Sequence, residues 1–446
     1  MAALSLPDYV RPLTDRLEAA GFPAYAVGGC VRDMLLGIPP NDYDLCTAAL
    51  PEQTEAVFAD HRLVLAGKKH GTVGVITDRG VVEITTFRTE GGYRDNRHPD
   101  WVRFVPDIKD DLARRDFTVN AMAWSPIRGF ADPFGGRQDL SDGVLRAVGD
   151  AATRFREDSL RILRGVRFSV RYHLAVEENT FQAMKDLAPL MGNLANERVF
   201  DELCKLLPLV SADDLSIFVP IISRVIPELA PMVGFDQHTP HHAYDLFTHT
   251  AKVVENASQD LVLRWTALLH DIGKVPAFTL DENGRGHFLG HAKISAEMAD
   301  GILRRLKAPT SLREQVVWLI DHHMSPLEPN KKQLRRQLGR WGEERLSRLL
   351  ALQQADFGAK GTGKPGEARV FDEITGLLQQ IREENSCLTV KDLAINGRDL
   401  IALGFAPGKN LGKCLDHLYN QVMEEVLPNE RELLLAAANQ YKERSL

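Results

Sequence analysis

Two aspartates one residue apart are the first side chains whose spacing suggests chemistry. Asp42 and Asp44 lie in the segment NDYDL, and on a strand both carboxylates would project from the same face. Neighbouring carboxylates repel each other, and Mg²⁺ relieves that repulsion because it prefers carboxylate oxygens and bridges them to substrate phosphates. The pair therefore predicts a two-metal site for attack by a hydroxyl on a phosphate. An isolated pair is more often a solvated Asx turn, so the prediction depends on what surrounds it.

A glycine turn precedes this pair. The segment YAVGGCVRDMLLG has the pattern of a strand, a tight turn at Gly28 and Gly29, and a helix that starts near Cys30. Free backbone N–H groups at such a helix start can face an anion, which makes the turn a candidate phosphate site. A glycine turn beside a carboxylate pair favours a site of phosphate chemistry over a simple turn.

A second group of candidates is basic. The segment REDSLRILRGVRFSVR places arginines every three or four residues, so they form one ridge of a helix beside an apolar stripe. Its acids are Glu157 and Asp158, which leaves concentrated positive charge that repels itself unless phosphate or carboxylate faces it. The ridge therefore predicts an anion-binding surface, although a charged stripe is more often simply solvated. Its members are Arg161, Arg164, Arg167 and Arg171.

Histidines form a third group. Nine of the 14 histidines fall between His238 and His323. Imidazoles and carboxylates from several helices can hold one or two divalent ions, and a metal-bound water can then attack a phosphate ester. The alternative is that these histidines only fill a helical core. The members that recur on separate helical segments are His249, His270, Asp271, His291, His322, His323 and Asp356.

The elements that must position these residues change in type along the chain. Up to about residue 150, short apolar runs such as TVGVIT and VVEITTF alternate with helical stretches and turn residues. From about residue 155 onward the spacing of apolar residues is helical, as in NERVFDELCKLL. The Gly- and Lys-rich segment 358–368 indicates a loop between two helical regions. The sequence therefore predicts an α+β fold with a mixed sheet in its N-terminal part and helices thereafter.

Composition sets limits on the class of protein. A chain of 446 residues is too long for one ordinary core, so several domains are expected. No window reaches the ~18 uninterrupted apolar residues of a membrane span, which predicts a cytoplasmic protein with no membrane partner. The five scattered cysteines form no CxxC pair and predict free thiols. The formal charge of −7 means that any nucleic-acid binding must depend on local basic patches.

Five segments in order carry a resemblance to a known family. They are VGGCVRDMLLG, NDYDL, DLARRDFTVNAMAW, DPFGGRQDL and REDSLRILRGVRF. Together they resemble the successive motifs of the bacterial class II CCA-adding enzyme and poly(A) polymerase family, and LTVKDLAINGRDLIALGFAPGKNLGKCL resembles its tRNA-facing tail. The resemblance implies a polymerase-beta-like nucleotidyltransferase head at 1–150, a neck at 151–212, a body at 213–360 and a tail at 361–446.

The family's functional residues map onto these motifs. The resemblance implies that Asp42 and Asp44 are catalytic and hold Mg²⁺, while Asp158 and Arg161 recognise the Watson–Crick edge of the incoming base. Glu83, on the strand VVEITTF, is a candidate third carboxylate, with an exposed strand glutamate as the alternative. The other nucleotide-binding residues implied are Gly28, Gly29, Arg32, Arg115, Arg164 and Arg167.

The implied reaction adds CCA to the 3′ end of tRNA from CTP and ATP without a nucleic-acid template. The segment EGGYRDNRHPDWVRF resembles the flexible loop of members that add A, with Asp95, Asn96 and Arg97 where Asp-Gly-Arg is common in the family. Poly(A) polymerase is the nearest alternative. The segment HRLVLAGKKHGTVGVI resembles the CCA-adding members and favours tRNA.

The histidine group resembles the HD superfamily of metal-dependent phosphohydrolases, because its residues follow that family's order. The resemblance implies a metal site of His249, His270, Asp271 and Asp356 that holds Mn²⁺, Ni²⁺ or Mg²⁺. A role in repair of RNA ends would follow. One further hypothesis is a hydrolase with a degenerate head. Another is a non-catalytic RNA-binding protein, and the intact carboxylate pair and arginine ridge disfavour only this last one.

Overall fold

The protein is described by a computed structural model that covers residues 4–92, 101–239, 243–362, 366, 368–384, 389–424 and 426–444. The chain forms two compact units. The first unit contains the residues up to Val210 together with Asp214–Ala230 and Arg305–Lys307, and the second contains Ser211–Asp213, Pro231–Arg304 and the residues from Ala308 onward. The division into head, neck, body and tail remains a prediction.

A seven-stranded mixed sheet organises the first unit, in the order β3-β4-β5-β2-β1-β8-β9. Its strands pair antiparallel except for β2 and β5, which run parallel. The short strands β6 and β7 pair with each other, as do β10 and β11. The strands are β1 Ala24–Val27, β2 Leu45–Thr47, β3 Leu63–Val64, β4 Thr72–Thr77, β5 Gly80–Thr86, β6 Arg88–Gly91, β7 Trp101–Phe104, β8 Ala123–Ser125, β9 Gly129–Ala131, β10 Val144–Leu145 and β11 Ala175–Val176.

Helices complete the first unit and carry the arginine ridge. Helix α7 has its ridge beside a stripe that is buried from Leu160 to Val170. The helices are α1 Arg11–Ala19, α2 Gly29–Leu35, α3 Pro51–Val57, α4 Ile108–Ala113, α5 Gly136–Ser141, α6 Ala151–Glu157, α7 Leu160–Tyr172, α8 Glu178–Leu187, α9 Asn196–Leu206 and α10 Ala212–Ile222.

Side chains on the two faces of the sheet enter separate cores, since successive residues of a strand point to opposite faces. On β1, Ala24 and Ala26 belong to one apolar cluster, which also contains Phe58 and Ile84. Val27 belongs to another, with Phe87 and Leu112. Apolar side chains therefore pack on both faces of the central strands. This packing holds the strand ends, and with them the adjoining loops, in place.

The second unit is almost entirely helical. Its apolar clusters include one around Leu334, Leu346 and Ile374, and one around Leu400 and Leu418. A two-stranded hairpin of β12 Thr279–Leu280 and β13 Gly286–His287 interrupts the helices. The helices are α11 Leu246–Asn256, α12 Leu261–Leu269, α13 Lys274–Ala277, α14 His291–Arg305, α15 Thr310–His322, α16 Lys331–Trp341, α17 Glu343–Ala359, α18 Arg369–Glu383, α19 Gly397–Ala402, α20 Lys409–Met423 and α21 Arg431–Arg444.

The predicted fold class is confirmed: a mixed sheet precedes a helical remainder. The placement of Asp42 and Asp44 within a strand is wrong in detail, because β2 begins at Leu45 and both residues lie in the irregular segment before it. The loop residues 95–97 lie outside the described residues. Among the helices that the structure describes, none is long and apolar enough to span a membrane.

Candidate active sites

The turn between β1 and α2 requires glycine at its first position. Gly28 has φ +77°, a conformation that side-chain-bearing residues rarely adopt. A Cβ on Gly28 would lie 2.7 Å from Nη1 of Arg115, so the arginine packs directly against the backbone of the turn. The predicted strand, glycine turn and helix are therefore confirmed, and the turn brings Arg115 to the end of β1.

The carboxylate pair sits beside this turn. The amide of Val27 donates to the carbonyl of Asp44 at 3.0 Å, which ties the pair's segment to the end of β1. Leu45 is the parallel partner of Ile84, so the segments that carry Asp44 and Glu83 run side by side, and the charge of Glu83 acts on Asp44. Burial raises the pKa of Asp44 to about 6, helped by the charges of Asp42 and Glu83 and opposed by Arg115.

Asp111 anchors the arginines that follow α4. Its fully buried carboxylate accepts hydrogen bonds from Nη2 of Arg114 at 2.8 Å and Nη2 of Arg115 at 3.3 Å. Burial alone would raise the pKa of Asp111, but the two guanidinium groups hold it below its ordinary value. The ion pairs fix both arginines, and Arg115 lies next to Gly28 and acts on Asp44.

Arg32 is locked in place by several partners. Its guanidinium donates to the side chains of Asn120, Asp33 and Tyr172, and it stacks over the Tyr172 ring at 4.1 Å from the ring centre. Only 5% of its surface is exposed. Arg32 therefore links α2 to α7, in addition to facing the cleft described below.

The arginine ridge of α7 is not free of carboxylates. Arg161 pairs with Glu157 at 2.7 Å, as expected from the local sequence. Arg164 pairs with Asp116 at 2.6 Å. The sequence predicts that phosphate or carboxylate must face the ridge, and the fold supplies carboxylates from distant segments.

Arg167 follows the same pattern, since its Nε donates to Glu202 of α9 at 2.6 Å. Asp158 lies between α6 and α7, where it accepts a hydrogen bond from the amide of Leu160 at 3.0 Å. Its other oxygen accepts from Nη2 of Arg198, also at 3.0 Å. Both candidate base-recognising residues, Asp158 and Arg161, are thus already held by protein groups.

All of the predicted nucleotide-binding residues line one cleft of about 480 Å³. It lies wholly within the first unit. Further residues line it that were not among the predicted ones. Phe168 belongs to α7 itself, and nothing in the local sequence of four others relates them to that helix: Arg114, Asp116, Asn120 and Arg198. We call this space the head cleft.

The histidine group forms a second site, in the second unit. Nε2 of His249 lies 3.6 Å from Asp271 and 3.0 Å from Asp356, and Nε2 of His270 lies 3.2 Å from Asp271. Nε2 of His291 lies 3.5 Å from the other oxygen of Asp271. The structure brings together all four predicted ligands.

His323 and His291 extend this site. Two groups of three ligand atoms, each group within 4.8 Å, share Asp271: one with His249 and His270, the other with His291 and His323. From the sequence, His322 and His323 are equal candidates for this site. The structure distinguishes them, because His323 belongs to a ligand group whereas the ring of His322 stacks on Trp318.

Backbone carbonyls orient these imidazoles. Nδ1 of His270, His291 and His323 lies within 2.6 to 2.9 Å of the carbonyls of Ala267, Phe288 and Ile320. A histidine that ligates a metal through one nitrogen usually donates its other N–H in this way. Burial lowers the pKa of His323 to about 4, so its ring is neutral at pH 7.

A cavity of about 300 Å³ opens onto this cluster. Lys274, Arg285 and Lys360 line it and supply positive charge at its walls. Nζ of Lys274 lies 2.8 Å from Asp271. Burial alone would raise the pKa of Asp271, but His270 and Lys274 keep it well below its ordinary value. We call this space the HD cavity.

A mixed sheet that ends in a glycine turn and a carboxylate pair, with basic residues across a cleft, defines a nucleotidyltransferase. Family models support this class in three parts of the chain. The Poly A polymerase head domain matches residues 24–146 and the polymerase A RNA- and SrmB-binding site matches residues 173–210. The tRNA nucleotidyltransferase domain 2 matches residues 281–438.

Full-length relatives identify the family within this class. The chain is 34% identical over 430 residues to the CCA-adding enzyme of Latilactobacillus sakei, with 96% of each chain covered. It is 36% identical over 435 residues to that of Streptococcus pneumoniae strain G54, with 97% of this chain and 96% of the relative covered. The chain belongs to the CCA-adding enzyme family, whose members are nucleotidyltransferases that add CCA to tRNA.

Solved structures agree. The Bacillus stearothermophilus CCA-adding enzyme in complex with CTP is 28% identical and superimposes with a TM-score of 0.67, covering 99% of this chain and all of that chain. The Thermotoga maritima CCA-adding enzyme complexed with tRNA shares the fold at 22% identity, with a TM-score of 0.58 and coverage of 98% and 96%. Family membership implies dependence on a divalent metal.

Proposed function

We propose that the head cleft transfers CMP twice and AMP once from CTP and ATP to the 3′ end of tRNA. The observation that carries this proposal is the convergence of the carboxylate pair, the glycine turn and the arginine helix on one cleft. The complex of a 28% identical relative with CTP supports the choice of nucleotide. A tRNA substrate also favours the cytoplasmic location that the sequence predicts.

Asp42 and Asp44 are the residues that would hold Mg²⁺. The donor set fits, because burial, and then the negative charges of Asp42 and Glu83, raise the pKa of Asp44, and a divalent cation would offset that negative charge. Bound metal would lower the pKa of the attacking 3′-hydroxyl and stabilise the leaving pyrophosphate. Glu83, an exposed residue of β5 whose charge acts on Asp44, is the further carboxylate proposed for this role.

Base selection is assigned to Asp158 and Arg161. A carboxylate accepts a hydrogen bond from an exocyclic amine, and a guanidinium donates to a ring nitrogen or carbonyl oxygen. Cytosine and adenine carry an amine where uracil and guanine carry a carbonyl, so an acceptor at this position favours the two correct nucleotides. No nucleic-acid template is needed for this discrimination.

Phosphate contacts are assigned to the glycine turn and Arg115. Gly28, Gly29 and Arg115 line the same cleft as the carboxylate pair and would bind the triphosphate of the nucleotide. Arg32 of α2 lines the same cleft, where its guanidinium is held by a hydrogen bond to Tyr172. Arg164 and Arg167 add positive charge along α7 while they remain paired with acids.

Substitution of the carboxylate pair tests the proposal. Asp42→Asn and Asp44→Asn are each expected to abolish incorporation of labelled CTP and ATP into tRNA that lacks CCA, because each removes a metal ligand. Binding of tRNA should persist. Asp78→Asn, at an exposed turn residue, is the matched control and should incorporate normally. Normal incorporation by either cleft variant, read at single-nucleotide resolution, would contradict the two-metal assignment.

A second candidate function belongs to the HD cavity, and we propose it from the carbonyl-oriented histidines around Asp271. His249, His270, Asp271 and Asp356 would hold Mn²⁺, Ni²⁺ or Mg²⁺. Such a metal would activate water for attack on a phosphate ester. A damaged RNA 3′ end with a 2′,3′-cyclic phosphate is the proposed substrate. Attack of water that breaks the bond from phosphorus to O3′ leaves a 2′-phosphate monoester and a free 3′-hydroxyl, which is the group that the head cleft extends.

A further inference from the structure

Arg198 enters the head cleft from a helix outside the recognised motifs. It lies on α9, forty residues after Asp158, and its Nη2 donates to Oδ2 of Asp158 at 3.0 Å. The amide of Leu160 donates to Oδ1 of the same carboxylate at 3.0 Å. With one donor on each oxygen, the carboxylate plane of Asp158 is fixed, and Arg198 is the side chain that fixes it.

The second terminal nitrogen of Arg198, Nη1, is buried and makes no hydrogen bond within the described part of the chain, although the side chain lines the head cleft beside Arg161. A buried guanidinium N–H without an acceptor costs free energy, so a small rotation that turns Nη1 to an acceptor is favoured when a ligand brings one into the cleft. Nucleotides carry such acceptors on their base edges.

We propose that Arg198 is a positioning residue for nucleotide selection. One guanidinium nitrogen holds the carboxylate of Asp158 towards the exocyclic amine of the incoming base, and the other donates to an acceptor atom of the same nucleotide. Charge-assisted hydrogen bonds have the directionality that this task needs. The inference rests on the proposed role of Asp158 in base selection.

The test compares the ratio of kcat/KM for CTP to that for UTP, on tRNA that lacks CCA. Arg198→Gln is expected to lower this ratio by roughly tenfold to a hundredfold, because a mobile carboxylate no longer distinguishes an amine from a carbonyl. The matched control is Arg156→Gln, an exposed arginine on α6, which should leave the ratio unchanged. Thermal unfolding and tRNA binding are measured for each variant.

Arg198→Lys keeps the ion pair with Asp158 but loses the second nitrogen. It is expected to have a ratio between those of the wild type and Arg198→Gln. A wild-type ratio in the lysine variant overturns the donation by the second nitrogen. If the glutamine variant does not fold, Arg198→Met replaces it: a reduced ratio supports the positioning of Asp158, and a wild-type ratio overturns it.

A double-variant cycle with Asp158→Ala separates the role of Arg198 from the proposed role of Asp158 in base selection. If Arg198 acts through Asp158, combining Asp158→Ala with Arg198→Gln should lower the ratio no further than Asp158→Ala alone. Loss of selectivity in Asp158→Ala with full selectivity in a folded Arg198→Gln would overturn the role of Arg198 only. Full selectivity in Asp158→Ala would overturn the role of Asp158 and, with it, this inference.

Discussion

Asp116 shows how one buried carboxylate organises the head cleft. Its Oδ2 accepts hydrogen bonds from Nε and Nη2 of Arg164 at 2.8 and 2.6 Å. Its Oδ1 accepts from the amide of Phe117 and the side chain of Asn120. Burial by itself would raise the pKa of Asp116, but Arg164 and Asn120 bring it down to about 2. The charged form is therefore stabilised by folding.

Asp116→Asn is expected to destabilise the first unit at pH 7 by about 2 kcal/mol or more, since each unit of pKa corresponds to ~1.4 kcal/mol. The folded pKa lies below the unfolded value of about 3.9, so this contribution is complete above about pH 5 and is lost as the pH falls through the folded pKa. Hydrogen exchange of α7 amides at pH 7 and pH 3 measures the effect within this unit. If the difference in amide protection between the wild type and the variant is as large at pH 3 as at pH 7, the stabilising pairing of Asp116 with Arg164 would be contradicted.

At the scale of elements, the β1 turn and α2 depend on the conformation of Gly28. Gly28→Ala should lower kcat/KM for CTP by about tenfold, because a positive φ costs ~1–2 kcal/mol and the new methyl group displaces Arg115. Gly37→Ala is the matched control: Gly37 also has a positive φ, of +71°, but open space around it. If both variants lose the same activity, backbone strain rather than displacement of Arg115 explains the effect.

The sequence predicted elements and local spacing better than pairing across the fold. The strand, glycine turn and helix around Gly28 were predicted because their signals are local. The partner of Arg164 was not, since Asp116 precedes it by 48 residues and joins it only through packing of α7. For the same reason Arg198 escaped detection, because no local pattern relates α9 to Asp158. The sequence alone does not show which of His322 and His323 faces Asp271, because that depends on how α15 is rotated about its axis.

At the scale of the whole molecule, the net charge of −7 conceals where the basic residues lie. The arginines that line the head cleft come from several segments: Arg32, Arg114, Arg115, Arg161, Arg164, Arg167 and Arg198. Local charge of this kind can bind phosphates in an acidic protein, because salt screens the field of distant carboxylates beyond ~8–10 Å. The two candidate sites occupy separate compact units, so their chemistries should be separable.

His270→Ala combined with Asp271→Ala tests that separation. The double variant should lose metal binding and hydrolysis of 2′,3′-cAMP, because it removes a ligand imidazole and the carboxylate shared by both groups of ligand atoms. Addition of CCA to intact tRNA should continue, since the head cleft lies in the other unit. The matched control replaces the exposed pair Asp416 and His417 of α20 with alanine and should keep both activities.

Assays with different metals distinguish metal binding at the histidine cluster from hydrolysis of the cyclic phosphate. Hydrolysis by the wild-type protein is followed with Mn²⁺, Ni²⁺ and Mg²⁺ in turn, and with chelator, alongside incorporation of CTP and calorimetric binding of each metal. If the protein binds metal but does not hydrolyse the cyclic phosphate, the metal site stands and the proposed substrate is wrong. Wild-type protein that neither binds these ions at the cluster nor hydrolyses the cyclic phosphate would leave the histidines as core residues. Loss of CCA addition in a correctly folded double variant would show that the two units do not work independently.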